Sequence, residues 1–263
     1  MSRRGARLVA AGLCVLACSC APRLASLPSG PGTPLADAPA AFAQATARCR
    51  DVKTLAAILA ISGRAAGQRF RASVDGGFQA PANVRLELPA PGRSIFIFVA
   101  SGERATLLLG REGRVLRDAP ADATLEALAG ISLQPLELRT IVSGCGFGSG
   151  EPADARAFDG GWASMQVSSA TTWLQQVNGT WMLVAATRGP VEVRYSDFVQ
   201  GLPSVVRLRS SAGQAGKATD LTVRLSQVDV NQQLGPDVFQ IDVPSDAKPL
   251  SLDELRQAGP LGR

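Results

Sequence analysis

Apolar positions in this 263-residue chain recur with three different rhythms. The first is an unbroken run, Leu8–Ala17, which follows Arg3, Arg4 and Arg7 and is closed by Cys18 and Cys20. The second is helical. Between Asp37 and Arg50, Phe42, Ala45 and Cys49 share one face, with Thr46 as its polar member. Asp37 suits a cap, and Pro39 falls where a first turn tolerates proline. From Thr54 the period shortens to two. "AAILAISGRAAGQRFRASVDGGFQ" predicts two strands, and "NVRLEL", "SIFIFVAS", "RATLLLGR" and "RVLRDA" continue an antiparallel meander.

The helical rhythm then returns. "ADATLEALAG" predicts a short helix closed by Gly130, and "QPLELRTIVSGCG" a second, opened by Pro135 and stopped at Gly144. Leu138, Ile141, Val142 and Cys145 fall on its apolar face. A second meander follows through "WASMQVSS", "TTWLQQV", "TWMLVAATR", "VEVRYSDF", "SVVRLRSS" and "DLTVRLSQVDV", with Asn178-Gly179 as a type I′ hairpin turn. "SLDELRQAG" reads as a short terminal helix. The expected fold is mainly β with short helices: an unclosed, strongly curved antiparallel barrel of about eleven strands with a helical lid or plug. The expected organisation is a signal at 1–19, a flexible tether at 20–36, the barrel domain at 37–250 and a tail at 251–263.

The opening run is too short to span a bilayer, which needs about 20 apolar residues. Basic residues, a short apolar core and small residues form the layout of an export signal. Small residues just before a cysteine resemble the lipobox of bacterial lipoproteins. Cys18 has the better local frame, with Val15 three positions before it and Ala17 one before. Parity favours Cys20, because acylation there leaves Cys49 and Cys145 as a pair in the mature chain. Both remain candidates. Residues 21–36, rich in Pro, Gly, Ser and Ala, read as the tether.

Charge and composition narrow the chemistry. The formal charge of +5 includes three signal arginines; without them 24 basic residues face 22 acidic ones, a balance of +2. No block of lysines or arginines marks a nucleic-acid stripe. Histidine is absent, which excludes a Ser-His-Asp triad, a Cys-His pair and a His-ligated metal. No cofactor, metal or catalytic constellation is expected, and the chain reads as a binding protein rather than an enzyme. "GCGFGSG", Gly144–Gly150, follows a helix instead of opening one, so it reads as a linker running into "EPADA". "SDAK", Ser245–Lys248, lacks the partner motifs of a serine acyltransferase, and Asn178-Gly179-Thr180 is explained by its hairpin.

Cys49 and Cys145 each end a predicted helix. A bridge between them would close a long loop and contribute roughly 2–4 kcal/mol; the alternative is two buried thiols. Export to an oxidising compartment favours the bridge. The apolar side chains that could line a cavity of the curled sheet are Phe96, Phe98, Leu107, Leu109, Trp173, Trp181, Tyr195 and Phe198.

The order of parts, with "LAAILAISGRAAGQRFRASV", "VRLELPAPGRSIFIFVASGERATLL", "ALAGISLQPLELRTIVSGCG", "VEVRYSDF" and "LTVRLSQVDV", resembles the LolB-like outer-membrane lipoproteins of the LolA/LolB lipoprotein-localisation superfamily. The resemblance covers most of Cys49–Val243. It implies an open barrel whose apolar interior takes up acyl chains, an outer-membrane anchor facing the periplasm, and receipt of lipoproteins from a periplasmic carrier. Ser19 or Ala21, following the acylated cysteine, fits outer-membrane sorting by the same resemblance. LolB-like receptors expose a bulky apolar residue beside a proline in one strand connection. Here that connection is "PAPGRS", with Pro91 and Gly92 at the membrane-facing position and no leucine or phenylalanine at the tip. Two readings follow: an acyl-binding lipoprotein that aids lipoprotein or lipid localisation, or a structural interaction lipoprotein with a self-filled barrel.

Overall fold

The computed structural model describes residues 26–211 and 217–258. Fifteen strands form one sheet. A two-residue strand, β1 (Thr33–Pro34), precedes helix α1 (Ala38–Arg50). The first meander comprises β2 (Thr54–Ala65), β3 (Gln68–Gln79), β4 (Asn83–Leu88), β5 (Phe96–Ser101), β6 (Arg104–Leu109) and β7 (Arg114–Pro120). Helices α2 (Ala121–Ala129) and α3 (Pro135–Ser143) follow it. The second meander runs through β8 (Pro152–Phe158), β9 (Trp162–Val167), β10 (Ala170–Val177), β11 (Thr180–Arg188), β12 (Val191–Val199), β13 (Leu202–Ser210) and β14 (Thr219–Val230). The chain ends with a 3-10 turn at Pro236–Phe239, a short β15 (Lys248–Pro249) and α4 (Leu252–Ala258).

The meanders join where β14 pairs antiparallel with β2, with Leu225 opposite Leu59. The sheet does not close: β1 on β8 forms one edge, and β15 on β7 forms the other in the sheet's single parallel pairing. Every stretch read as a strand pairs into this sheet. The count exceeds the expected eleven because the stretches read as strands form twelve, and the edge strands β1 and β15 and strand β8 add three. The sequence reading took the start of β8 for linker. Its alternation is broken by a bulge between Ala153 and Arg156, with Asp154 at φ 49°, so the two-residue period is lost.

Strand alternation sends one face of each strand inward. Leu55, Ala57 and Leu59 of β2 are buried, as are Val74 and Phe78 of β3. Phe98, Leu107 and Val84 complete this half of a single core that also takes in Leu174, Leu183 and Val193 of the second meander. The helices cover that inner face: α1 packs on β11 and β8, α2 on β6 and β7, and α3 against β13 and β4. Asp37 takes the cap position of α1, but its side chain makes no capping bond. Gly130 and Gly144 end α2 and α3 in the left-handed conformation, as their sequence positions imply. Asn178 and Gly179 both have positive φ, as a type I′ turn requires.

The ends of the domain differ from their expected character. The last residues of the tether are ordered by pairing, since Thr33 lies opposite Ala157 and the Leu35 amide donates to the Ala155 carbonyl. The segment set aside as a tail contributes α4, which packs on α2 and buries Leu255. Among the described residues no helix is long and apolar enough to cross a membrane.

Candidate functional site

Cys49 at the end of α1 and Cys145 just past α3 form a disulfide, with Cα atoms 5.6 Å apart and a separation of 96 positions in sequence. The bridge joins two of the helices that cover the inner face. Helix α3 is fastened further on both flanks. The Arg139 guanidinium donates to the carbonyls of Pro81 (3.0 Å) and Val52 (3.3 Å), and burial lowers its pKa. Glu137 accepts from the Gln134 amide at 3.0 Å and pairs with Arg188, whose guanidinium also lies 4.8 Å from the Phe147 ring centre. Beyond α3 the Gly146 amide donates to the Tyr195 hydroxyl at 3.1 Å, and the Thr140 hydroxyl donates to the Gly146 carbonyl at 2.8 Å. Tyr195 is fully enclosed, and burial pushes its phenol well above the usual range. The glycine-rich linker from α3 to β8 is therefore pinned to β12.

A seam opens between this helical layer and the sheet. It encloses about 310 Å³ and is lined by Arg48 of α1, Val142 of α3, Leu55 of β2, Leu202 and Pro203 of β13, and Leu225 of β14, among others. A volume of this size lies at the lower end of small-ligand pockets. Two local features shape it. A Cβ at Gly144 would lie 2.7 Å from Cδ of Pro203, so α3 approaches β13 this closely only because the residue is glycine. On β14, a bulge between Ser226 and Asp229 puts Gln227 at φ 50° and turns Val228 outward, 40% exposed. Val199, 62% exposed, stands at the same rim. These two are among only four large apolar side chains exposed among the described residues.

The residues singled out from the sequence are distributed unevenly. Phe96, Phe98, Leu107, Leu109 and Tyr195 lie in the packed core, and Trp181 and Phe198 pack against it. Trp173 departs from that set. It alternates with the buried Thr172 and Leu174, so it faces the other way, and its ring lies 5.8 Å from that of Phe158. None of the eight lines the seam, whose walls come from residues that sequence reasoning did not single out. The bulge on β14 and the α3–β13 approach leave no period in the sequence. Pro91 and Gly92 are exposed in the loop between β4 and β5. The base of that loop is fixed where Glu87 holds Arg85 and the Ser94 hydroxyl, and where Arg93 donates to the Gly110 carbonyl at 3.1 Å. Cys18 and Cys20 lie outside the described residues. Among the described residues no group of His, Cys, Asp or Glu is placed to hold a metal ion.

No family model and no curated protein matches the chain. Solved structures do. A LolA superfamily protein from Nitrosomonas europaea superposes with a TM-score of 0.53 at 13% identity, covering 78% of this chain and 98% of that one. A DUF1329 family protein from Desulfovibrio piger gives 0.48 at 12% identity, over 77% and 97% of the two chains. The lipoprotein LppX of Mycobacterium tuberculosis gives 0.32 at 11%, over 75% and 98%. The first of these carries the comparison, and what it shows is a shared fold: an open, curved sheet.

Proposed function

We propose that this protein is a lipid-anchored lipoprotein of the bacterial outer membrane, facing the periplasm, that binds acyl chains and helps to localise lipoproteins or lipids. The observation that carries this reading is the seam between α1, α3 and strands β13–β14, where apolar side chains outnumber the polar ones and the exposed Val199 and Val228 stand at the rim. An acyl chain placed there gains about 0.8 kcal/mol for each methylene taken out of water. Longer chains require the helical layer to lift. The Cys49–Cys145 bridge makes α1 and α3 lift as one piece. Acylation at Cys20, with Cys18 as the alternative acceptor, supplies the anchor, and a periplasmic carrier is the partner that would deliver cargo. The resemblance to LolB-type receptors rests on the order of elements and short sequence patterns, and the β4–β5 loop departs from it, with Pro91 and Gly92 but no bulky apolar tip for bilayer insertion.

A second reading rests on the core. Phe78, Phe98, Leu55, Leu107 and Ile141 are almost wholly enclosed by other side chains, so the interior is occupied by the protein itself. A self-filled barrel serves as an interaction scaffold of the envelope. Native mass spectrometry separates the two. Residues 26–263, exported behind a cleavable signal and purified without detergent, should carry a phospholipid or acylated peptide that dissociates on activation. Val199→Glu with Val228→Glu should abolish that adduct while leaving the thermal melt unchanged. A bare protein mass after exposure to lipoprotein would sink acyl binding and leave the scaffold.

A further inference from the structure

The outer face of the sheet, opposite the helices, carries a charge pattern that the linear sequence conceals. Pairing registers place Arg71, Ser62, Thr222, Arg207 and Arg194 in one row across β3, β2, β14, β13 and β12. The next row is Arg69, Arg64, Asp220, Arg209 and Glu192. Neighbouring strands are about 4.8 Å apart, so each row is a continuous line of side chains. The first row contains no carboxylate.

The carboxylates of the second row are already engaged. Asp220 accepts from Arg207 at 2.8 and 2.7 Å and lies 3.4 Å from Arg209. The Arg207 hydrogen bonds hold the Asp220 pKa below its ordinary value. Glu192 is held by Arg194 at 3.0 Å. On the β2–β3 side the balance fails. Among the described residues no carboxylate lies within ion-pair distance of Arg64, Arg69 or Arg71, and all three are exposed. Arg64 donates to the Gly67 carbonyl at 2.8 Å, and Lys217 lies beside the same turn. The adjoining segment 212–216, "AGQAG", brings no charge.

Arg64 and Arg69 are direct cross-strand partners. Like charges in that arrangement destabilise a sheet; on its other side Arg64 faces Asp220, a carboxylate already held by Arg207 and Arg209. Arg64, Arg69 and Arg71 line a groove of about 690 Å³ with Ser62, Thr222 and the Arg207–Asp220 pair. Gly63 brings β2 and β14 together at its floor, where a Cβ would overlap the Asp220 carbonyl. Guanidinium forks flanking two hydroxyls match the oxygens of a phosphate, which accept bidentate hydrogen bonds from arginine.

We propose that this groove binds a phosphate-bearing anion of two or more charges, held by Arg64, Arg69 and Arg71 with Ser62 and Thr222 between them. The site is separate from the acyl seam and does not depend on it. The anion relieves the Arg64–Arg69 repulsion, so its binding stabilises the fold. A lipid headgroup and a soluble phosphate share this chemistry, and the test distinguishes them.

The whole protein, purified in dodecyl maltoside, is melted with inorganic pyrophosphate and, at matched ionic strength, with sodium chloride. Pyrophosphate at 100 times its Kd should raise the melting temperature by an amount equivalent to about 2.7 kcal/mol, or a hundredfold. The Arg69→Ala/Arg71→Ala variant should lose that shift, and should melt no lower than the wild type without anion because a repulsion has been removed. Mixed micelles containing phosphatidylglycerol are titrated in the same way against phosphatidylcholine micelles. A phosphatidylglycerol-specific shift lost in the variant assigns the headgroup; a pyrophosphate shift alone assigns a soluble phosphate. No shift from either probe, or equal shifts in both proteins, would overturn the proposal and leave an acidic protein surface as the counterpart of the patch.

Discussion

Reducing the Cys49–Cys145 bridge isolates the contribution of one bond to the closed state of the helical layer. The bond closes a loop with 96 residues of sequence separation. On chain entropy alone a loop of about 100 residues corresponds to roughly 4.7 kcal/mol, and measured native bridges centre nearer 2–4 kcal/mol. For a domain of this size each kcal/mol moves the melting temperature by about 2–4 °C, so the loss should be about 4–16 °C. The assay is a thermal melt followed by far-ultraviolet circular dichroism, with and without phosphine reductant, and repeated on Cys49→Ser/Cys145→Ser. Alkylation and peptide mass mapping confirm that both thiols are free. The double variant should melt at the lower temperature in either buffer. A fall below about 2 °C with fully reduced cysteines would refute the reasoning: the unfolded chain would then lose little freedom through the bridge. Hydrogen exchange on the reduced protein adds a spatial check, since α1 and α3 should lose protection before β5 and β6.

Tyr195 offers an optical test, because it is the only tyrosine in the chain. Burial raises its pKa, so the stability it contributes is complete below the unfolded value near 10 and is lost as pH rises above that value. Phenolate absorbance near 295 nm should therefore appear together with loss of circular dichroism, whereas phenolate absorbance in a still-folded protein would place the ring in contact with water. Leu255→Ala removes a side chain only 1% exposed from the α2–α4 contact and should cost about 2–5 kcal/mol in denaturant titrations. A loss below about 0.5 kcal/mol would mean that α4 is dispensable packing.

Much of the fold can be read along the chain because each long strand alternates one buried and one exposed face. Val84, Leu86 and Leu88 against Arg85 and Glu87 give β4 directly, and Asn178-Gly179 gives its hairpin. The covered helices announce their ends through Gly130 and Gly144. Local irregularity hides the rest. The bulge in β8 breaks its period, and the bulge in β14 creates the rim of the seam. The arginine rows escape notice for a different reason. A sheet that joins β14 to β2 places Arg207 and Arg71 in one row, although 136 positions separate them in sequence. A net balance of +2 therefore coexists with a concentrated positive face. The aromatic set shows the opposite limit: composition finds large apolar residues, but only strand parity reveals that Trp173 faces away from Leu174.

The two-residue strand β1 would fix how far an anchored domain can travel from a bilayer. Thr33 and Pro34 are clipped to β8, so if the chain is anchored at Cys20 as proposed, the stretch between anchor and sheet ends near Gly32. A fully extended chain covers at most about 3.6 Å per residue, which limits the leash to roughly 40 Å. That is about the thickness of one bilayer with its headgroups. Under the proposed anchoring the protein would be a short-range device, confined to a shell next to its own leaflet. Any cargo or partner must come to it across the remaining space.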